Sequence, residues 1–287
     1  MSAAIVKDQQ LIWEKGFGYS DYENKIAATA DTPYEIASIS KTFGATLLMQ
    51  LVEQAKVSLD DPMSKYSEQY KDNVIKIRHV LTHTSEGPTP GDYYEYNGDL
   101  FANLFDVVVK ASGKRYRPLL VQNILERVGT TDSSPGNDLN DPDSDHAKMA
   151  ELLGAENEKN YVDILKRLAK PYRLYGDNDI VLTYDSQRGL STANRIVSSV
   201  KDLAKYDVAI DEHLFLKKET QVQMWTPTVS NKGQTLPYGL GWFVQQHQGH
   251  KLIWHNGYSP DHYSALLLKV PDKQLAFVVL ANSDALS

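Results

Sequence analysis

The stretch YEIASISKTFGATLLMQLVEQ, residues 34 to 54, sets a serine and a lysine three apart, Ser38 and Lys41, at the mouth of an apolar run. Phe43, Leu47, Leu48, Leu51 and Val52 recur every three to four residues. That is the period of a helix with a buried face, and the spacing predicts one over 38–56 with Ser38 or Ser40 as its N-cap. One turn apart, Ser38 and Lys41 then share a face. A lysine held against an apolar helix is partly desolvated, which lowers its proton affinity and lets it accept a hydrogen bond from the serine hydroxyl. The helix N-terminus adds an N–H donor and a dipole suited to a developing oxyanion. The plainer alternative is a capping serine beside an exposed lysine. Spacing does not choose between them, because Ser-x-x-Lys recurs at Ser198 and Lys201, where Ser198 reads as the N-cap of VKDLAKYDVAI.

Upstream, AAIVKDQQLIWEKGFG predicts two strands around a polar turn, so the chain opens in a sheet. Downstream, residues 76 to 185 carry the helical patterns IRHVLTH, LFANLFDVVVKA, LLVQNILERV and YVDILKRLAK, divided by Pro and Gly. The period changes again near the end. YGLGWFVQQH, HKLIWH, HYSALLLKV and QLAFVVLAN predict an antiparallel meander of four strands. LAFVVL, 275 to 280, is apolar throughout, so both of its faces are expected to be covered.

The chain has 287 residues, 41% of them hydrophobic, enough for one large domain or two closely packed lobes. A net charge of −7 disfavours nucleic acid or an anionic membrane as the main partner. A small neutral or cationic ligand stays open. With no cysteine there is no thiolate nucleophile, disulfide or Cys-ligated metal, and the compartment stays unknown. No 18-residue apolar run could form a transmembrane segment, and MSAAIVKDQQLIWEKG lacks the pattern of an export signal, although a leader removed earlier would leave no trace.

Rival chemistries fail on spacing. No G-x-S-x-G occurs, which argues against an α/β-hydrolase elbow. His79 and His83 have the four-residue spacing of a zinc helix, but Val80 stands where a metalloprotease needs its Glu, so they read as packed core histidines. In NDLNDPDSD, a calcium loop beginning at Asp141 would place His146 where glycine belongs and Leu152 where the bidentate Glu belongs.

Taken in order, YEIASISKTF, LDDPMSKY, IKIRHVLTHTSEG, YEYNGDLF, GLSTANRIVSSVKDLAKYD, YGLGW and WHNGYSPDHYSALLLKVPDKQLAFVVLANSD resemble the serine β-lactamase and penicillin-binding-protein superfamily. The likeness is to its class C-like branch, with family VIII carboxylesterases and D-amino-acid peptidases, and it covers nearly the whole chain. It implies an α+β fold of the β-lactamase/transpeptidase type: a sheet lobe from 1–37 and 190–287, a helical lobe over 38–189, and a cleft between them. It also implies roles. Ser38 matches the acylated nucleophile, Lys41 its proton-relay partner and Tyr96 the tyrosine that passes a proton to the leaving group. His255-Asn256-Gly257 matches the third motif, and the N–H groups of Ser38 and Tyr258 match the oxyanion hole. No cofactor and no metal are implied. Tyr96 would need nearby positive charge to ionise, which Lys41 could supply.

Three departures shape the expected substrate. The family's Tyr-x-Asn reads Tyr96-Asn97-Gly98 here, one place early, which weakens β-lactam and peptide substrates. Histidine stands at 255 where typical β-lactamases carry lysine. The helices that the family places before the first strand and after the last are not seen. The expectation is therefore a serine hydrolase of small acyl esters or D-amino-acid peptides, with a β-lactamase or penicillin-binding mode, or a non-catalytic binding relative, as alternatives. An uncovered sheet face would favour a homo-oligomer. Residues 86–95, 132–145 and 226–237 are the expected rim, with Tyr93, Tyr94, Trp225 and Tyr258 as candidate lining.

Overall fold

In the computed structural model, residues 1–138, 146–175, 179–184 and 189–284 are described. The chain opens with β1 (Ser2–Lys7) and β2 (Gln10–Gly16), joined by Asp8 and Gln9, both in the left-handed region, as a tight hairpin turn requires. Four short strands are β3 (Tyr19–Asp21), β4 (Ile26–Ala27), β5 (Tyr34–Glu35) and β8 (Val197–Ser198). A hairpin of β6 (Tyr172–Tyr175) and β7 (Asp179–Leu182) lies within the stretch whose patterns predict helix. β9 (Phe243–His247), β10 (His250–Ser259), β11 (Tyr263–Val270) and β12 (Leu275–Ala281) close the chain as the predicted antiparallel meander.

β1, β2 and β9 to β12 make one antiparallel sheet in the order β2-β1-β12-β11-β10-β9, so the first strands pair with the last. Ala4 and Val6 share its inner face with Ala276, Val278, Leu280, Ala265, Leu267, Ile253 and His255, all buried. LAFVVL departs from expectation. Its inner residues are buried, whereas Leu275, Phe277 and Val279 are only half-buried, giving the alternation of a sheet packed mainly on one side.

The helices are α1 (Ser40–Glu53), α2 (Ile77–Leu81), α3 (Gly98–Ala102), α4 (Leu104–Ser112), α5 (Tyr116–Leu120), α6 (Glu126–Val128), α7 (His146–Leu153), α8 (Ala155–Leu165), α9 (Val200–Asp211) and α10 (Lys218–Met224). A π turn, Val121–Leu125, joins α5 to α6. α9 lies along β1, β2 and β12. α1 is buried on all sides from Ser40 to Leu51 and packs on α4 and α5, which makes it the central helix of the apolar core.

Two capping expectations are corrected. α1 begins at Ser40, and Ser38 sits in a separate 3₁₀ turn, Ala37–Ile39, with no side-chain cap. The Ser40 hydroxyl instead accepts from Ile196 N at 3.2 Å. Ser199, rather than Ser198, caps α9 by accepting from Asp202 N.

Candidate active site

Ser38 is half-buried on its 3₁₀ turn, between β5 and α1. The turn is fixed from both sides. Ile36 N donates to Ile196 O at 3.0 Å, and β5 pairs with β8. Across from it runs β10, where a Cβ on Gly257 would lie 2.2 Å from Ile36 O. Only glycine allows that approach, so Gly257 sets how closely the strand carrying His255 and Tyr258 lies against the serine turn.

Lys41, on the first turn of α1, is 1% exposed, and its Nζ lies 2.9 Å from Ser38 Oγ and 3.3 Å from Ala193 O. The rings of Tyr96 and Phe101 lie 5.0 and 5.6 Å away. Burial lowers the Lys41 pKa from 10.5 to about 7, partly opposed by Asp99. An amine whose pKa is lowered this far can take the proton of a hydroxyl it already touches.

Tyr96 stands just before α3. Burial pushes its hydroxyl up to about 12, partly opposed by a hydrogen bond with Ser38. The expectation that Lys41 would help it ionise is thus reversed. A neutral phenol can donate a proton, and an amine lowered as Lys41 is can accept one.

Asn97 Oδ1 accepts from Leu100 N at 2.9 Å as the N-cap of α3, and its Nδ2 donates to Glu86 at 2.6 Å. Its amide is committed to the fold and leaves Ser38 unserved. Gly98 stands nearer the chemistry, since a Cβ there would lie 3.5 Å from Lys41 Nζ.

His255 is fully buried. Its Nδ1 donates to Asn256 O at 2.6 Å, so Nε2 accepts the Tyr238 hydroxyl at 2.8 Å. Burial, with Lys41 nearby, lowers its pKa to about 3. At the third motif this chain therefore presents a neutral ring, 6.2 Å from that of Tyr96. Tyr258, two strand positions beyond Asn256, is 47% exposed and borders solvent.

His83, expected as a packed core histidine, is buried and is brought to the site as well. It lies beyond α2 in a left-handed conformation, φ 53°, so it does not continue the helix of His79. His79 Nδ1 accepts from Lys76 N, whereas His83 Nδ1 accepts from Asn97 N at 3.1 Å. The two rings serve different segments, against a shared zinc site. Among the described residues no cluster of three or more His, Asp or Glu is arranged to hold a metal. Asp141 and the rest of 139–145 lie outside the described residues.

Among the described residues, eleven non-glycine residues have positive φ, and three of these are buried: Ala37, His83 and Arg195. All three border the site. Ala37 precedes Ser38, His83 packs on Tyr96, and Arg195 belongs to the 193–196 segment flanking Lys41 and Ile36. Arg195 also pairs with buried Glu35 at 2.9 Å, and burial raises the Glu35 pKa to about 7. Such backbone costs of order 1–3 kcal/mol per residue, and it persists where packing over-determines it.

Of the expected rim, 86–95 and 226–237 are tied together by Asn231 to Pro90 O and Asp92, and by Lys232 to Asp92. Tyr93 is 40% exposed under the Lys232 ammonium. Tyr94 packs on His83, Tyr238 and Phe243. Trp225 turns away, edge-on to Trp242 and packed against the core.

A family model described as Beta-lactamase matches residues 1–286. Penicillin-binding protein 4* of Bacillus subtilis (strain 168) is 23% identical over 310 residues, covering 96% of this chain and 66% of that relative. Protein flp of Staphylococcus aureus (strain MW2) is 24% identical over 324 residues, covering 98% of this chain and 59% of that one. The chain thus spans less than two thirds of these curated relatives. Among solved structures, the octameric penicillin-binding protein homologue from Pyrococcus abyssi superposes with a TM-score of 0.79 at 25% identity, covering 98% of this chain and 69% of that one. The D-amino acid amidase from Ochrobactrum anthropi SV3 gives a TM-score of 0.76 at 20% identity, covering 98% of this chain and 86% of that one.

Proposed function

Because the chain belongs to the beta-lactamase family and has its α+β fold, we propose that it is a serine hydrolase that cleaves small acyl esters through an acyl-enzyme on Ser38. The observation that carries this reading is the 2.9 Å contact between Ser38 Oγ and the buried Lys41 Nζ. Lys41 takes the hydroxyl proton as Ser38 Oγ attacks the ester carbonyl. The backbone N–H groups of Ser38 and Tyr258 receive the oxyanion, with Gly257 fixing their spacing. Collapse of the tetrahedral intermediate expels the alkoxide, which Tyr96 protonates, and water then releases the acid by the reverse route.

Two features favour esters over peptides and β-lactams. The Asn97 amide is spent on capping α3, so no side-chain amide at 97 or 98 meets a substrate amide. His255 is neutral, so the third motif offers no cation to a substrate carboxylate. The fold neighbour that is a D-amino acid amidase supports amide cleavage as a second reading. Self-association is proposed too, from the half-buried outer sheet face and the octameric neighbour, and mass by light scattering tests it.

The test is initial hydrolysis of a short-chain p-nitrophenyl ester, a D-amino-acid amide and a chromogenic cephalosporin by wild type and Ser38→Ala. Ester turnover that vanishes in the variant, with little turnover of the others, is expected. Turnover retained by Ser38→Ala would refute the nucleophile, and faster amide or cephalosporin cleavage would refute the substrate class.

A further inference from the structure

We propose that His83 is a positioning residue that clamps Tyr96 against Ser38; this rests on the reading of Ser38 and Tyr96 given above. His83 holds the chain on both sides of Tyr96. Its carbonyl accepts from Glu95 N at 2.8 Å, and its Nδ1 accepts from Asn97 N at 3.1 Å. One residue thus holds the backbone N–H groups of the residues on either side of the tyrosine. His83 does so from a left-handed backbone, φ 53°.

The ring completes the clamp. It lies 4.3 Å from the Tyr96 ring at a 35° tilt, and it is backed by Phe101 at 5.4 Å and Tyr238 at 4.8 Å. Tyr96 is 39% exposed, and this inner contact, with Phe243 stacked at 6.1 Å, backs the buried side of its ring.

The tautomer supplies an independent sign. Because Nδ1 accepts an N–H, the neutral ring carries its proton on Nε2. That nitrogen is buried, in a residue 2% exposed, and has no hydrogen-bond partner among the described residues. A buried unpaired donor is costly, and a leucine or phenylalanine would fill this space without it. What the hydrocarbon side chains lack is the acceptor for Asn97 N. The unpaired Nε2 is the cost of having that acceptor on a flat ring.

The step that depends on the clamp is protonation of the leaving group by Tyr96, which makes the proposal separable from damage to the fold. An alkyl ester expels a basic alkoxide that needs the phenol proton. A p-nitrophenyl ester expels a stable anion that does not. The ratio of alkyl to p-nitrophenyl ester turnover therefore reads the placement of Tyr96, and a fluorophosphonate that labels Ser38 reads the nucleophile. His83→Phe keeps a ring and loses the acceptor. His83→Asn restores an acceptor near Nδ1 and tolerates left-handed backbone.

In His83→Phe we expect the ratio to fall by about tenfold or more while labelling of Ser38 changes less than about threefold, since small misplacements of a proton donor have effects of this size. His83→Asn is expected to return the ratio to within about threefold of wild type. His83→Gly, which relieves the backbone and lacks the acceptor, is expected to behave like His83→Phe and replaces it if that variant does not fold. A ratio unchanged in the folded variant without the acceptor, or a His83→Asn ratio as low as that of His83→Phe, overturns the proposal. Wild type that labels at Ser38 yet turns over neither ester overturns the ester reading, and the proposal with it.

Discussion

Replacing Lys41 by methionine separates catalysis from stability, because the structure gives the two opposite signs. Lys41 is 1% exposed and its pKa falls from 10.5 to about 7. At about 1.4 kcal/mol for each tenfold change in proton affinity, holding the cation in the fold costs up to about 5 kcal/mol. Below pH 7 the lysine is protonated both folded and unfolded, so that cost is present in full. Between pH 7 and 10.5 the unfolded chain binds a proton that the folded chain has released, so stability rises with pH; above 10.5 the cost is gone. Lys41→Met keeps the packing and removes the charge. We expect the variant to match or exceed wild-type stability at pH 6 by up to several kcal/mol, with an advantage that shrinks steadily toward pH 10. Activity moves the other way. Loss of a general base costs about 10²–10⁴-fold, and the wild-type rate should rise through pH 7 as the neutral amine is populated. Chemical denaturation at pH 6, 8 and 10 and a pH–rate profile on an activated ester measure both. A wild-type rate flat across pH 6–8, or a variant less stable at pH 6 with the same pH slope as wild type, would refute the assignment of a buried, half-neutral lysine.

The remaining expectations concern approach and proton delivery. Gly257→Ala sets a methyl against Ile36 O, where the ideal position lies 2.2 Å away; β10 must shift from the serine turn, at a cost of about 1–3 kcal/mol in stability and about 10²-fold or more in ester turnover, read by thermal melting and kinetics. A variant with wild-type activity would mean that the β10 approach is immaterial. Tyr96→Phe should lower alkyl ester hydrolysis by about 10²–10⁴-fold while sparing p-nitrophenyl esters; equal losses on both would move Tyr96 from leaving-group protonation to activation of Ser38.

Much of this fold was legible in sequence because its signals are local. Strand-like apolar runs bounded by polar turns gave β1, β2 and the last four strands, although β9 starts only at Phe243. Apolar spacing gave α1, but it could not separate Ser38 from the helix, because a 3₁₀ turn leading into an α-helix keeps nearly the same pattern. The β6–β7 pair was hidden for a related reason: the residues of its two strands are mostly exposed, so no buried face imposes a period. Ser38, Lys41 and Tyr96 were found by motif. Ala193, Arg195 and His83 were not given roles, since they act through a carbonyl, a pairing with Glu35 and a ring nitrogen that depend on distant segments meeting. The direction of the Tyr96 shift was also missed. From sequence the nearby lysine is visible as a charge, whereas the burial that neutralises both groups is a property of the assembled site.

That burial explains how the site works with few charges. Lys41, His83, His255 and Tyr96 are each driven toward their neutral forms by desolvation. Both histidines would raise the competition for positive charge beside Lys41 if they were protonated, and their burial removes it. What remains at neutral pH is one amine near its midpoint, one hydroxyl in contact with it, and one phenol still holding its proton. A proton acceptor and a proton donor can thus be kept apart by environment, since a lysine is ordinarily an ammonium and is a free amine near neutral pH only when water is excluded. A site of this kind carries little fixed charge of its own to attract an ionic substrate. On the proposed reading it suits neutral acyl compounds, and a cation restored at 255 is expected to alter which substrates bind before it alters the chemistry at Ser38.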